Sequence, residues 1–148
     1  MRISYTININ AAPEKVWYWL GTPERAMVWQ TSVSKTEILQ KTPDWIGTTF
    51  RETVEENGRG TEMQGVVTDY VENQSLAMHL SGKYNVADVK WRLDGTEGRT
   101  RLTVNAEVRF KSLAGVLSVL MRPVFKKKIT GQFQEELARL KELCERDN

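Results

Sequence analysis

The chain has 148 residues, 40% hydrophobic and 27% charged, which suits one globular domain with a single core, spanning 1–148, and leaves too little for two. Its 21 basic and 19 acidic residues leave a formal charge of +2, so no overall field draws it to nucleic acid or to an anionic membrane. A lone cysteine, Cys144, excludes an internal disulfide and a cysteine-built metal site, and a reducing, cytoplasmic setting is expected.

The opening "MRISYTININ" alternates Ile3, Tyr5, Ile7 and Ile9 with polar residues, the period of a strand with one buried face. It has no basic start followed by an apolar run, so it does not read as an export signal. No stretch of the chain is apolar for long enough to span a bilayer. In "AAPEKVWYWLGTPERAMVW", Pro13 with Glu14, then Thr22, Pro23 and Glu24, mark two short helices that meet near Gly21. Val16 and Leu20 share a face of the first helix. A helix this short can turn one of Trp17 and Trp19 into the core and leaves the other partly exposed.

Six further strands are predicted near 32–41, 48–56, 60–71, 75–82, 85–94 and 99–110, separated by "PDWIG", "ENGRG", "ENQS" and "DGTEG". Asn57-Gly58 is a type I′ hairpin signal that pairs Glu56 with Arg59. Counting outward, Val54 opposes Thr61, Glu52 opposes Met63, Phe50 opposes Gly65 and Thr48 opposes Val67, all on the inner face. A turn at Asn73-Gln74 adds Leu76, Met78 and Leu80 to that face, together with Asp69. A single bulge between Gly60 and Asp69 would turn Asp69 outward.

The last segment, from about Leu113 to Glu145, carries a helical stripe through Val116, Leu117, Leu120, Val124, Ile129, Phe133, Leu137, Leu140 and Cys144. Pro123 predicts a short helix, a kink or break, then a long helix from about that residue. The economical way to bury both stripes is one curved antiparallel sheet of seven strands with the long helix on its concave face, an α+β fold.

That order of elements, carried by "INAAPEKVWYWLGTPERAMVW", "IGTTFRE", "VKWRLDG" with "TRLTV", and "VLMRPVFKKKITGQFQEELARLKELCE", resembles the START-like, or Bet v 1-like, helix-grip superfamily, and within it the polyketide cyclase/dehydrase-like (SRPBCC) proteins. The resemblance implies a cavity between sheet and C-terminal helix for a hydrophobic, aromatic or amphipathic small molecule. It covers carriers and sensors, aromatase/cyclases and a co-chaperone branch, and it supplies no shared catalytic motif. A carrier or sensor is the leading expectation. A cyclase/dehydratase-type enzyme and a protein-interaction module are the alternatives.

The expected cavity lining is Phe50, Met63, Val67, Met78, Leu80, Trp91 and Val104 from the sheet, Val124, Ile129 and Phe133 from the helix, and Trp29 from the second short helix. Gly65 and Gly131 withdraw side-chain volume where filling is otherwise expected. Glu52 and Asp69 are the candidates for polar ligand contacts or proton transfer, because a carboxylate in such a place must raise its pKa, find a partner or meet water. His79 alternates with Met78 and Leu80 and is expected on the outer face without a catalytic role. With one histidine and one cysteine far apart, no metal site and no cofactor is expected. Ser75 and Ser81 lie in no nucleophile-elbow motif. The "MRPVFKKK" charges read as a solvated helix face, with membrane contact as the lesser alternative. A monomer or weak dimer is expected.

Overall fold

A computed structural model describes residues 1–56, 59–111 and 122–146. The elements run β1 (Arg2–Ile9), α1 (Pro13–Leu20), α2 (Pro23–Trp29), β2 (Val33–Gln40), β3 (Thr49–Glu56), β4 (Arg59–Val71), β5 (Ser75–Ser81), β6 (Asn85–Thr96), β7 (Arg99–Phe110) and α3 (Arg122–Glu145). The seven strands form one antiparallel sheet in the order β1-β7-β6-β5-β4-β3-β2. Every neighbour after the first pair is a sequence neighbour, so the sheet is a meander closed by β1 returning beside β7.

Alternation in the sequence becomes rows of side chains across the inner face. One row joins Ile38, Phe50, Gly65, Leu80, Ala87 and Val108. The next joins Val67, Met78, Val89, Ala106 and Ile3. A third joins Tyr70, Leu76, Trp91, Val104 and Tyr5. The β3–β4 register is the one the Asn57-Gly58 signal dictates, from Glu56↔Arg59 to Phe50↔Gly65; the two turn residues themselves lie outside the described residues.

Both short helices open on proline, whose missing N–H costs nothing in a first turn. α1 stops at Gly21, whose N–H donates to the Trp17 carbonyl at 2.7 Å. The indole of Trp17 lies against Gly21 so closely that a Cβ there would sit 2.7 Å from Nε1. Trp17 is buried and Trp19 half-buried, the division that the length of α1 requires.

Pro123 stands in the first described turn of α3. The short helix expected before it falls on residues outside those described. Leu137, Leu140 and Cys144 are fully buried, and each such apolar side chain contributes about 1.5–3 kcal/mol. The C-terminal end of α3 is tied to β1: Lys141 Nζ donates to the Asn8 carbonyl at 2.8 Å, and the Asn10 N–H donates to Glu145 Oε1 at 3.0 Å. Among the described residues no helix is long and apolar enough to cross a membrane.

Candidate functional site

Two spaces open on the inner side of the sheet. The deeper one lies between the strands and the α1–α2 pair, with a volume of about 70 Å³. Its walls come from Leu20, Gly21, Thr22, Pro23, Ala26 and Gln30 in and beside the helical pair, Ile38, Phe50, Glu52, Val67, Tyr70, Met78 and Trp91 of the sheet, and Trp45 and Thr48 of the β2–β3 loop. The second is a wider groove of about 730 Å³ along the row Ile3, Ala106, Val89 and Met78, lined also by neighbours of that row such as Ala77, Asp88, Lys90 and Glu107, and by Lys126 and Thr130 of α3. Met78 lines both, so they adjoin. The groove falls within the roughly 300–1,000 Å³ usual for small-molecule sites, whereas the deep pocket has room for about one ring.

The pocket mouth is built by the loop "KTPDWIGTT". Thr48 is fully buried and its Oγ1 accepts the Thr42 N–H at 3.0 Å, while Thr42 Oγ1 donates to the Ile46 carbonyl at 2.8 Å. The Gly47 N–H donates to the Val67 carbonyl at 2.8 Å, which fastens the loop to β4. These bonds hold Trp45 at φ +70°, a region a bulky side chain rarely enters. Its indole stacks on the Tyr70 ring with centroids 5.6 Å apart. Tyr70 in turn meets the edge of Trp17 at 5.2 Å and donates through its hydroxyl to the Gly21 carbonyl at 3.3 Å.

Glu52 stands on the inner face of β3, paired with Met63 and Thr36. Burial, reinforced by the negative charge of Glu136, pushes its pKa up to about 7. Glu136 projects from α3 and is only 6% exposed, with Oε1 accepting the Ser32 hydroxyl at 2.7 Å. Burial raises its pKa as well, against the lowering effect of the Ser32 bonds.

Asp69 is corrected. Between Val67 and Asp69 the β4–β5 register shifts, so that Val67 opposes Met78 but Asp69 opposes Ala77. The extra residue, Thr68, turns Asp69 to the outer face, where its Oδ2 accepts the Ser75 hydroxyl at 2.7 Å. Tyr70 takes the inner place instead. Val124 is also corrected: it is 61% exposed and faces away from the interior.

Of the remaining expected lining, Phe50, Glu52, Val67, Met78 and Trp91 come together in the deep pocket. Trp29 is fully buried behind it, its ring edge-on to Trp91 at 5.6 Å and its Nε1–H donating to the Trp19 carbonyl at 2.9 Å. Phe133 touches Trp91 from the α3 side, with centroids 6.4 Å apart, and Ile129 is half-buried one helical turn earlier. Val104 is sealed in the core beside Trp91, while Met63 and Leu80 are half-buried on the inner face without lining the deep pocket. Gly65 opens no space, because the Phe50 ring lies directly on it. A Cβ at Gly131 would meet no described atom within 4 Å. His79 lies on the outer face, with Nδ1 2.7 Å from Asp88 Oδ1. Among the described residues no group of three histidine, cysteine or carboxylate side chains is placed to hold a metal.

The sequence reading misses Trp45 and Tyr70, which line the deep pocket, and Glu136, whose charge acts on Glu52. Glu136 has a signal: it follows Phe133 by three and precedes Leu140 by four, which puts a carboxylate on the buried stripe of the helix. Tyr70 depends on the bulge, and Trp45 on a backbone conformation that its residue type disfavours.

A seven-stranded sheet wrapped on one long helix, with an apolar space on its concave side, defines the helix-grip class. The chain belongs to the polyketide cyclase / dehydrase and lipid transport family, whose model matches residues 1–145. In fold it is similar to a protein from Thermus thermophilus (TM-score 0.82, 14% identity, covering 97% of each chain). It is also similar to a START superfamily protein from Mycobacterium smegmatis (TM-score 0.78, 21% identity, covering 99% of each). A third similar structure is the Zhui aromatase/cyclase from Streptomyces sp. R1128 (TM-score 0.75, 14% identity, covering 96% of this chain and 94% of that one). No curated protein matches the chain in sequence.

Proposed function

We propose that this protein is a carrier or sensor that binds a small apolar or aromatic molecule on the concave side of its sheet. The observation that carries the reading is the deep pocket, walled by Phe50, Trp45, Tyr70 and Trp91 and sharing Met78 with the groove beside α3. Apolar walls with few polar groups are the ordinary chemistry of small-molecule recognition. A ring enters the pocket and an attached chain follows the groove. The cysteine usage accords with a cytoplasmic setting, and the protein acts as a monomer or weak dimer.

Titration of intrinsic tryptophan fluorescence with a panel of aromatic and aliphatic probes tests this, since Trp45 and Trp91 both line the pocket. Saturable quenching supports it, and so does a small molecule retained in native mass spectra of protein from its own host. No saturable signal across the panel contradicts it.

The raised pKa of Glu52 favours a second reading, a cyclase/dehydratase-type enzyme. A carboxyl that titrates near 7 in an apolar pocket is suited to give and take a proton at an enolisable carbon. In that case Glu52→Gln abolishes turnover while the substrate still binds.

A further inference from the structure

The deep pocket has a charge pattern as well as a shape. Among the described residues no lysine, arginine or histidine lines it, and Glu52 is its single acidic residue. Glu52 forms no ion pair and no hydrogen bond with a described residue. Its nearest charged influence is another carboxylate, Glu136, whose Oε1 is already engaged by Ser32. The opposing walls present aromatic rings: Trp45 is stacked on Tyr70 at the mouth and already holds an ammonium, that of Lys41, 4.7 Å from its ring centroid, and Trp91 stands at the back. Ring faces carry negative quadrupole potential and attract cations. Carboxylate and ring faces therefore prefer the same partner, and an anionic ligand meets repulsion from both.

We infer that the pocket selects a ligand carrying a primary ammonium group on a compact apolar or aromatic body, with the ammonium held by Glu52 between the aromatic walls. This rests on the binding reading above and names its ligand class. An ammonium supplies both the charge that Glu52 lacks and the hydrogen-bond donors that its oxygens lack. The pocket volume of about 70 Å³ limits the buried part to about one ring. Any longer tail lies toward the groove that shares Met78 with the pocket.

Phenethylamine, phenethyl alcohol and phenylacetate, similar in size and different in charge, provide the test by calorimetry near neutral pH. Wild type binds the amine at least about tenfold more tightly than the alcohol, and phenylacetate most weakly. In Glu52→Gln the amine-to-alcohol affinity ratio falls to about one, and in Glu136→Gln, which keeps an acceptor for Ser32, it falls severalfold. A wild-type ratio near one, or a ratio unchanged in Glu52→Gln, overturns the inference while binding of the alcohol leaves the apolar site standing. If none of the three binds and the wider probe panel also gives no signal, the binding reading itself fails.

Discussion

The charge of Glu136 on α3 reaches Glu52 on β3 and adds to the burial that raises the Glu52 pKa to about 7. Ser32, just ahead of β2, holds the Glu136 carboxylate with a 2.7 Å hydrogen bond. A bare negative charge in an apolar site costs several kcal/mol, so the folded protein keeps the Glu52 proton well above the pH at which an unfolded chain releases it.

Stability should therefore depend on pH with a definite sign. Unfolded Glu52 titrates at its ordinary 4.5 and folded Glu52 at about 7. The favourable contribution of the protonated form is complete below about 4.5, declines through the interval, and is gone above about 7. Chemical denaturation across this range should show Glu52→Gln gaining on wild type by on the order of 2–3 kcal/mol between the acid and alkaline ends. A difference that is flat with pH contradicts the assignment.

Gly65 should tolerate no side chain, although its place on the inner face suggests a vacancy. The Phe50 ring occupies the position where a Cβ would stand. Gly65→Ala is expected to cost about 1–3 kcal/mol through overpacking, measured by urea denaturation. Phe50→Leu in the same chain should recover part of that loss.

Trp29 is a support rather than a ligand contact. Replacing it with phenylalanine removes the Nε1–H donated to the Trp19 carbonyl and trims its edge contact with Trp91. The expected cost is about 1–3 kcal/mol, with the affinity for phenethyl alcohol changed far less than by Trp45→Ala.

Cys144 should be inert in the folded state. It is fully buried, and burial pushes its thiol pKa up to about 12, so almost no thiolate forms at neutral pH. An aromatic disulfide reagent should label it only as fast as the chain unfolds. Rapid stoichiometric labelling of native protein contradicts the packing of α3 on β1.

The meander is legible in the sequence because its signals are local and repeated. Asn57-Gly58 sets the β3–β4 register, and alternation then carries Phe50, Glu52 and Val67 to the inner face, where the structure has them. Asp69 escapes this logic because nothing in "VVTDY" announces that Thr68 is an extra residue; a bulge here leaves the alternation of residue types undisturbed. Besides the groove beside α3, a deeper pocket lies against α1–α2, because the loop fastened by Thr48 and Gly47 brings Trp45 over that end of the sheet. No propensity predicts a tryptophan at φ +70°.

A binding protein of this fold has its ligand in the space bounded by Phe50, Val67, Leu76, Met78 and Trp91. Methyl-resolved NMR during titration with phenethylamine tests it most directly. Saturable shifts are expected at Val67, Leu76 and Met78, with Val66, which opposes His79 on the outer face, little moved; shifts that never saturate, or that cluster on the outer face, would overturn it.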